Sequence, residues 1–438
     1  MDTLDIKRFE ISEHLRLCAV QTDKFKAGTI TFHIAMPVSP KNVAFASVLC
    51  GVLKRGNKKY PTVTDVYRRL DELYASSLDV RTSFNSSEIS LSLSSELLDN
   101  AFAPCGTDIL DGIIELISLA LLCPVADGNG FAESTVAREV ATLRSALLAE
   151  SNNTQSYALI RVKEMLCREN PNYPTLEALL GVLDDIDARS LWAFYLELVS
   201  YSPLDVFYVG GTDAETVAKK LGTYFGSYAP TKSFSQDAKA PDAPLQMSER
   251  SEQMSVSQSK LALGFHSSVN LMSTDYHAAI LFNEIFGASP ISKLFVNVRE
   301  KMGLCYYCGS SYNTFSGALI VSSGIEGSRR ELAEREILAQ LDTLKRGEIS
   351  DAELAAAKKS LINVYRQIYD NPFDISNFHS SRMRLGIDES IEDCISAFDA
   401  VSLEDIVRVA KTFVHDTTFF IEGTSDGDEK CEVDEYDE

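Results

Sequence analysis

Apolar positions along this chain recur with two periods, and the order of those periods repeats. The run 29–38 (TITFHIAMPV) is apolar and rich in β-branched residues, which predicts a strand ended by Pro37, Ser39 and Pro40. A short helix is predicted over 43–53 and stopped by Gly56; Thr62 or Thr64 can cap the next, over 65–74. Strands come next at 78–84 and 88–94. In the second, Ile89, Leu91 and Leu93 alternate with Ser90, Ser92 and Ser94, the mark of a half-buried antiparallel strand. Helical periodicity then runs over 108–122, 133–150, 155–167 and 188–201. A strand at 204–210 (LDVFYVG) precedes a helix capped by Asp213.

Periodicity lapses over 227–257, a segment rich in Ser, Pro, Ala, Lys and Asp that reads as a surface linker. The order then returns. A strand is predicted at 259–266, helices at 275–286 and 289–299, paired strands at 304–313 and 318–324 around Ser316-Gly317, and helices at 329–345, 351–369, 372–385 and 402–413. A last strand lies at 417–422. Two passes of the same order imply an internal duplication. The expected fold class is α+β: two homologous halves, each an antiparallel sheet with helices packed on one face. The expected boundaries are 1–226 and 258–423, joined by the 227–257 linker. The tail 424–438 is dense in acids and expected to be disordered.

The densest chemistry lies in the stretch 295–307 (FVNVREKMGLCYY). A helix ends in a charged cluster, Gly303 breaks it, and a strand starts at Leu304. Arg299 thus stands in the last helical turn and Tyr306 and Tyr307 at the start of the strand. Successive strand residues face opposite sides, so only one tyrosine can share a side with Arg299. A guanidinium and a phenol can together hold a carbonyl oxygen or an oxyanion. The alternative is an arginine favoured by a helix C-terminus beside tyrosines packed on a sheet.

Composition narrows the partners. There are 63 acidic and 41 basic residues, a net charge of -22, which argues against nucleic acid and anionic membrane surfaces. No run approaches the length of a membrane span, and the N-terminus lacks the pattern of a signal peptide. The nine cysteines are scattered, several in apolar runs, as expected for reduced thiols in a cytoplasmic protein. Cys305-Tyr-Tyr-Cys308 is a CxxC, but in a regular strand its sulfurs point to opposite faces, which speaks against redox or metal chemistry. Lys54, Arg55, Lys58 and Lys59 form a basic cluster, either a solvated turn or an edge facing an acidic partner. The glycines at 210–211 and 324–327 lack phosphate-loop or dinucleotide spacing.

The duplicated order, Arg299-Glu-Lys-Met-Gly-Leu-Cys-Tyr306 and the helix followed by Gly56-Asn-Lys-Lys-Tyr-Pro61 resemble the pitrilysin, insulysin and mitochondrial processing peptidase family over about residues 10–423. In active members an Arg-x6-Tyr ahead of a strand helps to bind the scissile carbonyl, and its two positions fall on Arg299 and Tyr306. The family's zinc site is His-x-x-Glu-His on a helix, two imidazoles as ligands and the glutamate as general base. Here the aligned positions fall on Ser47, Cys50 and Gly51, and the downstream glutamate ligand on Ala146, with Glu139 nearby. The resemblance therefore implies no metal and no catalytic residue on this chain alone. The chain is similar to zinc-less members of the family, including those associated with 5-aminopentanol modification of elongation factor P. That likeness implies an inactive peptidase homologue, a non-catalytic subunit of a heterodimer. Such a chain lends Arg299 and Tyr306 in trans to a peptide substrate, with zinc only on the sister subunit. The alternative is a peptide-binding or scaffold protein with no proteolytic role.

Overall fold

The computed structural model describes residues 4–127, 130–234 and 246–424, the side chains of Cys105 and Ser202 excepted; the expected acidic tail lies outside the described residues beyond Thr424. In chain order the elements are strands β1 (Asp5–Ser12), β2 (Leu15–Gln21) and β3 (Ala27–Pro37), helices α1 (Pro40–Leu53) and α2 (Val63–Glu72), and strands β4 (Asp79–Phe84) and β5 (Glu88–Leu98). Next are helices α3 (Ile109–Leu122), α4 (Glu133–Glu150), α5 (Thr154–Leu166), α6 (Leu176–Val182) and α7 (Ala188–Leu198). Then come β6 (Tyr201–Ser202), β7 (Leu204–Gly210), α8 (Ala214–Phe225), β8 (Lys232–Ser233), β9 (Ser248–Met254), β10 (Ser259–His266) and α9 (Tyr276–Asn283). The rest comprises β11 (Cys305–Asn313), β12 (Ala318–Ile325), α10 (Arg330–Lys345), α11 (Asp351–Gln367), α12 (Pro372–Arg384), α13 (Ile391–Ala400), α14 (Leu403–Ala410) and β13 (Val414–Gly423).

The chain divides into two compact units, each an α+β sheet with helices. One gathers Met1–Ala149, Cys167–Lys239 and Ser360–Asp399; the other gathers Glu150–Leu166, Ala240–Lys359 and Ala400–Glu438. The units are therefore discontinuous, where the sequence suggested continuous halves.

The first unit is built on a six-stranded sheet of order β1-β2-β7-β3-β5-β4, antiparallel except for the parallel pair β2 and β7. Alternation sorts its two faces. Phe32, Ile34, Leu91, Leu93 and Val206 join a core completed by α1, α3, α7 and α8. The opposite face receives α12, whose Ile375 packs on Val20 and Val209. That face is unusually polar. Arg384, at the end of α12, donates through Nη2 to both carboxylate oxygens of Glu88 at 2.6 Å. Arg16 on β2 holds Asp205 on β7 through two hydrogen bonds of 2.6 and 2.9 Å. His33 on β3 lies nearby; burial first, and then the Arg384 charge, pushes its pKa down to about 3.

The second unit has a five-stranded sheet of order β11-β12-β10-β13-β9, with β9 parallel to β13. Helix α5 covers one face, packing Ala158, Val162, Met165 and Leu166 on Ala262, Ile320, Phe419 and Ile421. Leu261, Leu263 and Phe265 alternate to the other face and are fully buried. Strands β8 and β9 lie within the expected linker. Strand β9 (SERSEQM) is an edge strand exposed along most of its length, so it carries polar residues and leaves no apolar alternation to read.

Candidate functional site

Helix α1 carries the positions where the resemblance places a zinc motif. Its start is set by local chemistry: Ser39 caps it by accepting from the Asn42 amide at 3.1 Å, and Pro40 occupies the first turn, where its missing N–H costs nothing. Ser47 turns its hydroxyl back to donate to the Val43 carbonyl at 2.8 Å, with Thr82 Oγ1 at 3.2 Å. Cys50 is 8% exposed, and burial pushes its thiol up to about 12, so it stays protonated at neutral pH and is no nucleophile.

Gly51 is the most telling of the four. A Cβ there would fall 2.1 Å from Glu139 Oε2. The space an imidazole stem needs is filled by the Glu139 carboxylate, which reaches across from α4. Arg55 holds that carboxylate, its Nε donating to Glu139 Oε1 at 2.6 Å. Ala146, on the same helix, is exposed and offers only a methyl group. Two histidines and two carboxylates are thus replaced by a hydroxyl, a buried thiol, a hydrogen and a methyl. The one nearby carboxylate is neutralised by a guanidinium. This donor set does not fit a zinc ion, and among the described residues no ligand cluster includes any of these positions.

The basic cluster after α1 is largely absorbed by the protein. Lys54 pairs with Asp79 at 2.7 Å, Arg55 with Glu139, and Lys59 with Glu115 at 2.5 Å. An edge facing an acidic partner thereby loses three of its four charges, because the carboxylates lie on elements that only the fold brings close.

The second candidate lies in the other unit. Between α9 and β11 the chain is π-helical over Glu284–Ala288 and Leu294–Lys301, one register wider than the expected α-helices. Local π geometry is frequent at functional sites. Gly287 has no room for a side chain, since a Cβ would meet Ser310 Oγ at 2.5 Å. The second π segment ends where the sequence predicted. Gly303 has φ +57° and its amide donates to the Arg299 carbonyl at 3.1 Å, while the Leu304 amide donates to Val298 at 3.2 Å. Arg329 Nη1 fastens the same turn by donating to the Gly303 carbonyl at 3.0 Å.

This turn presents Arg299 and Tyr306. The Arg299 guanidinium stacks on the Phe295 ring at 4.6 Å and lies 3.6 Å from Glu300; its side chain is 38% exposed. Tyr306 is 61% exposed. No hydrogen bond joins the two among the described residues, and both point polar groups at solvent. Tyr307 instead packs inward across Gly324. Strand alternation predicts that the two tyrosines part; it does not predict the bulge at which they do so. Tyr306 is the extra residue of a β-bulge, since the β11–β12 register steps from Cys305↔Ile325 directly to Tyr307↔Gly324.

Comparison with known proteins supplies the family context. Residues 185–361 match the family described as the peptidase M16 inactive domain. The chain is 29% identical over 415 residues to the probable inactive metalloprotease YmfF of Bacillus subtilis (strain 168), covering 94% of this chain and 97% of that one. It is 25% identical over 209 residues to the uncharacterized zinc protease YmxG of the same organism, 47% of this chain and 50% of the relative. Among solved structures, a conserved protein from Enterococcus faecalis V583 shares the fold with a TM-score of 0.88 at 23% identity, covering 97% of this chain and all of that one. The peptidase M16 inactive domain from Pseudomonas fluorescens does so at 0.79 and 15% identity, over 96% and 99% of the two chains.

Proposed function

We propose that the chain, whose residues 185–361 match the peptidase M16 inactive domain and which is similar over 94% of its length to a probable inactive metalloprotease, is the non-catalytic subunit of a two-chain zinc peptidase. In this reading it contributes Arg299 and Tyr306 to a peptide-binding site whose zinc sits on a sister chain. One contrast carries the proposal. The positions that the resemblance gives to zinc hold a serine, a buried protonated thiol, a glycine and an alanine, which together make no zinc-ligand set, whereas Arg299 and Tyr306 are exposed on a turn fastened by Gly303, Phe295 and Arg329. A surface arginine packed over a ring is partly restrained for binding a carbonyl oxygen, and the exposed Tyr306 phenol is a neutral donor on the same stretch.

Bacillus subtilis has both a probable inactive metalloprotease and an uncharacterized zinc protease similar to this chain, the two kinds of subunit such a pair requires. The likeness to family members associated with elongation factor P modification favours that process as the setting of the proposed pair. The test is reconstitution. The purified chain alone cleaves no peptide and holds no stoichiometric zinc; mixed with a zinc-bearing sister chain it restores cleavage. Arg299→Ala and Tyr306→Phe each lower that activity on the order of 10²-fold. Peptide binding without cleavage under any pairing would instead make the chain a scaffold.

A further inference from the structure

The pair Cys305 and Cys308 has no role in peptide binding by Arg299 and Tyr306. Residues three apart on a regular strand face opposite sides, but β11 is not regular there. Cys305 pairs with Ile325 and Cys308 with Ser323, while Tyr306 is the unpaired residue of the bulge. Ile325 and Ser323 are two apart on β12 and both fully buried, so they share one face. Cys305 and Cys308 therefore share it too, 8% and 6% exposed. The two thiols are close enough to shift each other's ionisation. The expectation that the sulfurs diverge fails because the bulge adds one residue and restores the parity of the side chains.

The two thiols are not equivalent. Interaction with Cys308 holds the Cys305 thiol below the ordinary value, while interaction with Cys305 and its own burial hold Cys308 well above it. Three thiols outside this pair behave otherwise: burial pushes Cys18 up to about 11 and Cys50 and Cys394 up to about 12. Cys305 is also the first residue of β11, which is an edge strand of its sheet, so a small oxidant has a short approach.

We propose that Cys305 and Cys308 are a redox modification site: a nucleophilic and a resolving cysteine that close a reversible disulfide across the Tyr306 bulge when a peroxide is present. The Cys305 thiolate attacks one peroxide oxygen and the O–O bond breaks, giving the Cys305 sulfenic acid and hydroxide, which takes the proton Cys305 has lost. The Cys308 sulfur then attacks the Cys305 sulfur. The S–S bond forms, the S–O bond breaks, and the Cys308 proton leaves with the oxygen as water. Two thiols and one hydrogen peroxide thus become one disulfide and two waters, and a dithiol reductant returns the pair.

The experiment uses the full folded chain. It is exposed to hydrogen peroxide, blocked with an alkylating reagent under denaturing conditions, and digested with trypsin. Residues 302–329 contain no internal lysine or arginine, so one peptide holds Cys305 and Cys308 and no other cysteine. The expected result is that this peptide becomes two hydrogens lighter and takes up no alkyl group, and that prior dithiol treatment restores two alkylations. Cys308→Ser stops at an oxidised Cys305, and Cys305→Ser slows consumption of the remaining thiol by at least about tenfold. Two alkylated cysteines after peroxide, or either cysteine bridged to a different peptide, would overturn the assignment. The wild-type peptide map decides the question even where a variant folds poorly.

Discussion

Tyr306 and Tyr307 are adjacent, yet one is presented to solvent and the other lies across a glycine of the next strand. The separation rests on the bulge and on Gly324, where a Cβ would meet Tyr307 Cε1 at 2.6 Å and Gln258 Oε1 at 2.8 Å. Gly324→Ala is expected to cost about 1–3 kcal/mol, through overpacking, in urea unfolding. Adding Tyr307→Ser should recover part of that loss, and an additive double mutant would show that the ring is not what the glycine accommodates. At Gly51 the same logic bears on the metal. Restoring the motif letters with Ser47→His, Cys50→Glu and Gly51→His should not yield stoichiometric zinc by elemental analysis, because position 51 is occupied by a Glu139 carboxylate bound to Arg55. One zinc per chain in that triple variant would contradict the account. The assignment of Ser47, Cys50, Gly51 and Ala146 to the zinc-motif positions comes from the resemblance and needs only the sequence. That Arg55 and Glu139 close the space was not legible there, because they come from α1's end and α4, brought together only by the fold.

The helices that cover the second face of each sheet show what periodicity can and cannot convey. An amphipathic pattern says that a face is buried; it does not say which sheet buries it. Helix α12 reads as an ordinary helix of the second half, yet it docks on β2, β3 and β7 through Ile375 and Arg384. Glu88 is buried, so Arg384→Ala would strand its carboxylate, and a loss of about 3–5 kcal/mol is expected by chemical unfolding. The same layer sets a pH response. His33 and His379 are held down to about 3 and about 4, mainly by burial, so both are neutral in the folded state. Between those values and about 6.5 the unfolded chain binds the extra protons. Stability from these groups is complete above about pH 6.5 and is lost as pH falls, by about 1.4 kcal/mol per pH unit for each histidine. Comparing wild type with His379→Gln between about pH 6.5 and 5 should show a flatter stability profile in the variant. Parallel profiles would mean that His379 is already charged in the fold.

At the scale of the whole chain, the duplicated order of strands and helices was readable because most core strands alternate cleanly or run apolar throughout. The edge strands β1 and β9 escaped because they are polar along much of their length, and the buried strand β2 escaped as well. Among the described residues no helix is long and apolar enough to cross a membrane. The molecule combines an M16-type fold, a first unit with no zinc-ligand set at the positions the resemblance gives to zinc, and a second unit with an exposed arginine and tyrosine. Such a chain makes sense as half of a site. The most direct test is to mix it with a zinc-bearing sister chain and follow hydrolysis of a fluorogenic peptide, wild type against Arg299→Ala. The account predicts cleavage only in the mixture, and with the variant a fall on the order of 10²-fold while the two chains still associate. Equal cleavage with wild type and Arg299→Ala would contradict it.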